Sequence, residues 1–168
     1  MKQKDIPKLT FIDLDKSLSS FRGIIQQIPP QVSSVHVNGE RAYKKSWRKE
    51  DFTLASKEVK VESLILKDWN QANGRLSIEI NCSSGTYIRS IARDLGILLK
   101  SEGCLYDLIR TKASGFCEDK SINLEYLINR HNEKDKFIIP IEDALDHLPK
   151  IHLTSELDIL YWLSLIHI

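Results

Sequence analysis

Five cations and two aromatic rings fall within nine residues at Arg41-Ala42-Tyr43-Lys44-Lys45-Ser46-Trp47-Arg48-Lys49. Lysine and arginine bind phosphates by releasing condensed counterions, and tyrosine and tryptophan offer flat faces to bases or ribose, so the composition suits an RNA backbone. The competing reading is an ordinary helix with Ala42, Tyr43 and Trp47 as its buried face and the cations as its solvated one. Residue type and spacing leave both readings open.

A second candidate is Cys82-Ser83-Ser84-Gly85-Thr86-Tyr87-Ile88-Arg89, at an expected strand-to-helix junction. The first turn of such a helix presents free N–H groups and a positive dipole end. Tyr87 and Arg89 flank the apolar stripe set by Ile88 and Ile91, so the ring could stack on a base and the guanidinium could hold a carboxylate ionised. A tyrosine closing a core edge and an arginine bridging to an acidic neighbour fit the same letters. Third, Leu105 to Lys112 alternates apolar and polar residues and leaves Arg110 and Lys112 near the end of an expected strand, free to meet phosphate. His36, His131, His147 and His152 have no partners at ligand or triad spacing, and no nucleotide-binding glycine loop or serine elbow occurs.

The elements that must position these groups follow from periodicity. Phe11, Leu14, Leu18 and Phe21 recur at helical spacing, and Gly23 is the expected stop. Pro29-Pro30 forbids a helix, and Asn38-Gly39 marks a turn between an extended piece and a further helix, so residues 23–50 read as an excursion from the core. Val59 and Val61, then Leu64 to Leu66, precede Asn73-Gly74, after which Leu76, Ile78, Ile80 and Cys82 alternate strictly; two antiparallel strands are expected. Ile88, Ile91, Ala92, Leu95, Leu98 and Leu99 lie on one helical face, with serines as capping candidates and Gly103 as the end. Cys104 to Phe116 reads as a strand with Gly115 as a bend, Leu124 to Arg130 as a short helix, and Ile141 to Leu148 as an amphipathic element before Pro149. The expected fold class is α+β, a mixed and mostly antiparallel sheet flanked by helices.

The 168 residues suffice for one full core, and 24 Lys+Arg against 23 Asp+Glu exclude a uniformly basic coat protein, so phosphate contacts must come from local clustering. Composition excludes disorder, collagen and repeat arrays. Cys82, Cys104 and Cys117 are odd in number and lack zinc spacing, which points to a reducing cytoplasm, and no apolar run reaches the ~18 residues of a membrane span. The expectation is a cytoplasmic monomer with no membrane partner and no metal.

Gln27-Ile28-Pro29-Pro30, Ser33-Ser34-Val35-His36, Gly39, Arg41-Ala42-Tyr43, Asn81 to Arg89, Asp94-Leu95-Gly96, Leu108-Ile109-Arg110 and Ser114-Gly115-Phe116 together resemble bacterial tRNA pseudouridine synthases of the TruB type. Order and spacing agree from about Phe11 to Pro149. The resemblance implies cofactor-free isomerisation of uridine to pseudouridine at position 55 in the T-loop of tRNA, with the target base flipped into a pocket and attacked or activated by an aspartate. It implies that Tyr87 stacks near the flipped uracil, that Arg89 pairs with that aspartate and that Leu108 forms an apolar pocket wall. It also implies that residues 27–49 are an RNA-gripping thumb in which Arg41, Tyr43, Lys44, Lys45, Trp47 and Arg48 meet RNA, joined by Arg110.

The departures are specific. The family's aspartate sits in a G-x-L-D-P-x-A string, and none occurs here; Asp13-Leu14-Asp15-Lys16 does not match. In the thumb, Val32-Ser33-Ser34 stands where the family has Tyr-Ser-Ala. The expectation is therefore the latter part of a catalytic domain over residues 1–149, with the nucleophile missing upstream, so that the parent is an isomerase and this chain alone is inactive. Residues 150–162 then read as a linker toward a missing PUA-like RNA-binding domain, and Leu163 to Ile168 as letters encoded by a sequencing adapter. The alternative is a catalytically silent tRNA-binding module that kept the thumb and the sheet.

Overall fold

A computed structural model describes residues 6–130, 136–150 and 159. The chain forms two units, Met1–Leu108 and Ile109–Ile168. The first carries α1 (Phe11–Leu18), β1 (Gly23–Gln27), β2 (His36–Val37), β3 (Glu40–Arg41), α2 (Ala42–Trp47), β4 (Lys57–Asn70), β5 (Arg75–Cys82) and α3 (Ile88–Leu98). The second carries β6 (Lys112–Ala113), β7 (Phe116–Cys117), α4 (Leu124–Asn129) and α5 (Ile141–Ala144). The expectations for 150–162 and 163–168 lie outside the described residues, apart from Lys150 and Ile159.

The core of the first unit is one face of a three-stranded sheet in the order β1-β4-β5. β4 sits in the middle, antiparallel to β1 from Gly23↔Val61 to Gln27↔Lys57 and to β5 from Val61↔Cys82 to Asn70↔Arg75. Every pairing among the described residues is antiparallel, so no parallel component accompanies the expected α+β layering.

The parity of β4 explains its irregular letters. Val59 and Val61 point inward, yet so do Leu64 and Leu66, because a register shift between Val61 and Ser63 inserts one residue. A bulge moves the side-chain alternation over by one, which puts Leu64 and Leu66 in the core and leaves Ile65 half exposed. The buried cluster is Leu14 and Leu18 of α1, Val61, Leu64 and Leu66 of β4, and Leu95 of α3. Two helices thus cover one sheet face. The other face carries polar cross-strand contacts, such as Lys67 to Glu79 at 2.9 Å and the Asn81 amide donating to Glu62 at 2.9 Å.

α1 opens with a reciprocal cap: Thr10 Oγ1 accepts from the Asp13 N–H at 3.2 Å, and the Asp13 carboxylate accepts from the Thr10 N–H at 3.0 Å. The Thr10 hydroxyl and amide bonds hold the Asp13 carboxyl below its usual pKa. Since the folded value lies below the unfolded one, the contribution is complete above the ordinary carboxylate range and disappears as pH falls through the folded value. Asp13→Asn is expected to flatten the acid limb of Tm against pH. Thr10→Ala should cost about 1 kcal/mol at neutral pH, read from urea unfolding.

Five local expectations differ from the structure. Gly23–Gln27, expected to open an excursion from the core, pairs with β4 as an edge strand of the core sheet. α1 stops at Leu18 and a single 3-10 turn, Ser19–Phe21, follows, while Gly23 at φ +85° begins β1 and does not end the helix. No strand occupies Cys104 to Thr111; pairing is confined to Lys112–Ala113 with Phe116–Cys117 around Ser114 and Gly115, whose φ of 50° and 86° make the bend. Alternation there has no neighbouring strand to satisfy it. The serines before α3 do not cap it: Tyr87 is the N-cap residue without a side-chain bond, and Ser83 Oγ instead accepts from the Lys60 N–H at 3.1 Å. Finally, the helix begun at Ile141 ends at Ala144, followed by turns.

The expected Asn-Gly turns form. Asn38 and Gly39, at φ 52° and 83°, join β2 to β3, and residues 71–74 join β4 to β5. No helix among the described residues is long and apolar enough to cross a membrane.

Candidate nucleic-acid interface

α2 is only six residues long, and its sequence cannot bury all its rings. Ala42 is completely buried and Tyr43 half-buried, but Trp47 is 73% exposed. The two rings meet edge to face with centroids 5.0 Å apart. An exposed indole braced by a tyrosine is a preformed stacking surface, and the ordinary-helix reading, which needed Trp47 inside, fails at that residue.

The cations around it are partly engaged. Arg48 grips Glu40 through two bonds of 2.8 and 2.6 Å and also donates to Glu50 at 2.6 Å, while Lys45 lies 3.2 Å from Glu50 and 3.8 Å from Glu40. Hydrogen bonds from Arg48 hold Glu40 and Glu50 below the usual carboxylate range and raise the guanidinium further above its own. The network is solvated, so it fixes geometry more than it adds stability. Arg41 donates to the Ser34 carbonyl. Lys44 and Lys49 make no ion pair among the described residues and are exposed.

At the second candidate, β1 and the start of α3 are stitched together. The buried Gln27 side chain reads both backbone groups of Tyr87: its Oε1 accepts from the Tyr87 N–H at 2.8 Å and its Nε2 donates to the Tyr87 carbonyl at 3.1 Å. Ser90 Oγ and Arg93 Nη2 both donate to the Ile28 carbonyl, at 2.8 and 2.9 Å, and Arg89 Nη2 donates to the Val32 carbonyl at 3.1 Å. The structure therefore brings Tyr87 and Arg89 together with the root of the 27–49 segment. Among the described residues Arg89 forms no ion pair; its partner is a carbonyl.

Leu108 lies in the irregular stretch after α3, half exposed, and Arg110 falls in the second unit, exposed. Gln27, Ser90 and Arg93 were not singled out from the sequence. Gln27 had one usable signal, a polar residue at the inward end of a strand, and Ser90 another, a small polar residue beside Ile91 on the apolar face. A shallow concavity of about 590 Å³ lies elsewhere, at the N-terminal segment beside Gln71. Its lining, Ile6, Lys8, Leu9, Thr10, Gln71 and Ala72, holds neither an aromatic ring nor a carboxylate.

Comparisons with known proteins converge on one family. Residues 1–88 match the family described as TruB family pseudouridylate synthase (N terminal domain). The tRNA pseudouridine synthase B of Prochlorococcus marinus (strain MIT 9515) is 56% identical over 160 residues, which cover 95% of this chain and 52% of that protein. The protein of the same name from Synechococcus sp. (strain CC9311) is 46% identical over 155 residues, 90% of this chain and 52% of its own. The chain spans about half the length of the curated relatives it matches. Among solved structures, a chain of a Cbf5-Nop10-Gar1 complex superposes with a TM-score of 0.67 at 24% identity, covering 87% of this chain and 42% of that one, which shows a shared fold.

Proposed function

The chain belongs to the TruB family of pseudouridylate synthases, and from that premise we propose that it supplies the RNA-holding part of an isomerase that converts uridine to pseudouridine in the T-loop of tRNA. The single observation that carries the reading is Trp47, exposed and braced on Tyr43 among cations. In this reading Trp47 and Tyr43 stack on RNA, Arg41, Lys44, Lys45 and Arg48 line its backbone, and Arg110 adds a further phosphate contact. Tyr87 receives the flipped uracil, Leu108 walls it, and Arg89 holds the reacting carboxylate ionised. No cofactor is needed, because breaking the glycosidic bond and rejoining the ring through carbon moves no net electrons. The free cysteines Cys82, Cys104 and Cys117 suit a reducing cytoplasm.

The carboxylate itself has no counterpart in the family's G-x-L-D-P-x-A form anywhere in the chain. The 168-residue protein should therefore bind without turning over. Titration of a T stem-loop RNA, followed by tryptophan fluorescence quenching, is expected to give an affinity that falls steeply with salt. Trp47→Ala should weaken it about tenfold, the loss of one stacked base, as read by RNA anisotropy. No pseudouridine should appear on mass analysis after chemical derivatisation. Salt-insensitive binding, or binding indifferent to Trp47, would count against the interface. Product formation would count against the missing nucleophile.

A further inference from the structure

Hydrogen bonds, a stiff stretch of backbone and one ring contact link Tyr87 to Trp47 in succession. Gln27 fixes the Tyr87 backbone from β1. The next carbonyl, Ile28, takes two donors from α3, Ser90 and Arg93, which fills both of its lone pairs. Pro29-Pro30 follows, with φ locked at both positions, so any shift at Ile28 passes stiffly along the chain. Arg89 takes the Val32 carbonyl. Ser33 and Val35 then accept from the N–H groups of Tyr43 and Ala42, at 3.0 and 2.8 Å, which seats the start of α2. Tyr43 braces Trp47.

Ser90 is fully buried, although a serine on that helix face buries a polar atom where an alanine would pack. Its hydroxyl is satisfied by the Ile28 carbonyl. Arg93 Nη2 donates to the same oxygen and also to Asp94 Oδ2 at 3.1 Å, while Nε donates to Asp94 Oδ1 at 2.7 Å. Two side chains from successive turns converge on one carbonyl, immediately before the stiff dipeptide that leads to the stacking surface.

We infer that Ser90 and Arg93 are positioning residues that couple the RNA-gripping segment to Tyr87, so that RNA seated on Trp47 and a base seated on Tyr87 are bound cooperatively. The inference rests on the RNA reading above. It assigns these residues no contact with RNA; they act through the Ile28 carbonyl.

Cooperation between two contact residues is what a double-mutant cycle measures. With the full chain and a T stem-loop RNA, Kd is measured by anisotropy for wild type, Trp47→Ala, Tyr87→Ala and the double variant. The expected coupling is about fivefold: the two losses together fall short of their product. The cycle is then repeated in the Ser90→Ala/Arg93→Gln background, where the losses should multiply to within about twofold. A merely structural role for Ser90 and Arg93 would weaken every Kd alike and leave the coupling in place, which overturns the inference. Simple multiplication already in wild type overturns it too. If Trp47→Ala has no effect on wild-type binding, the RNA reading fails and the coupling with it. Should the background double variant not fold, as judged by thermal melting, Arg93→Gln alone carries the same test. Arg93 is half-buried, and its loss leaves Ser90 on the Ile28 carbonyl, so the coupling should fall to about half and must not persist unchanged.

Discussion

Gly96→Ala is expected to destabilise the protein by up to about 2 kcal/mol, although alanine is a far better helix former than glycine. The propensity gain in a helix interior is about 1 kcal/mol. Against it, a Cβ at Gly96 would stand 2.2 Å from the Gly103 backbone nitrogen and 2.6 Å from the Glu102 carbonyl carbon. These are main-chain atoms, so relief requires moving α3 or the segment that doubles back on it, which the Ser101 N–H bond to the Gly96 carbonyl at 2.8 Å holds close. Overpacking of this kind costs about 1–3 kcal/mol and sometimes more, and here it exceeds the propensity gain. Gly103→Ala meets the same obstacle from the other side, 2.0 Å from the Ala92 carbonyl oxygen. Urea midpoints of the two variants should both fall. A rise for Gly96→Ala would mean that helix propensity, and not close approach, governs this position.

Gln27→Leu is the second large expectation. The side chain is 2% exposed and makes two bonds to one residue; leucine would fill the space and leave the Tyr87 N–H without a partner, while the Tyr87 carbonyl keeps the Ser90 and Ile91 N–H groups at 3.0 and 3.2 Å. One orphaned N–H costs about 1–3 kcal/mol when buried, so the expected loss is about 1–3 kcal/mol. Gln27→Glu separates the hydrogen bonds from the packing. A protonated carboxyl can both donate to the Tyr87 carbonyl and accept from its N–H, whereas the ionised form can only accept. The folded state therefore favours the protonated form, and stability of Gln27→Glu relative to wild type should rise as pH falls below neutrality. Thermal unfolding across pH reads this directly. A glutamate variant whose deficit is constant in pH would show that the amide serves packing alone.

The sheet and its covering helices were legible because their signals are local: Asn73-Gly74 between two apolar runs, and the repeat from Ile88 to Leu99. The parity change inside β4 was hidden, since a bulge is set by the register of the neighbouring strand and leaves no letter of its own. The stretch from Cys104 to Thr111 alternates as a strand should, but alternation describes a face and cannot supply a partner. At the site, the sequence pointed to the cations and to Tyr87 and Arg89. It could not separate a buried from an exposed Trp47, because that depends on how far α2 runs before Lys49 turns it at φ 56°. The bonds from Gln27, Ser90 and Arg93 cross about 60 residues of chain, beyond the reach of any local pattern.

Because β4 is the central strand and follows α1 and β1 in the chain, neither of those two elements meets its partner until Lys57 and the residues beyond it have been synthesised. The β4–β5 hairpin closes through a short loop at little cost in entropy, so it is the earliest large piece that can assemble. β1 must return across some 30 residues to reach it, and α1 lacks its seat until the apolar face of that hairpin exists. The excursion at 27–49 is thus strung between a strand that waits and a strand that recruits it, and it takes its final seat only after α3 has left the ribosome to hold Ile28.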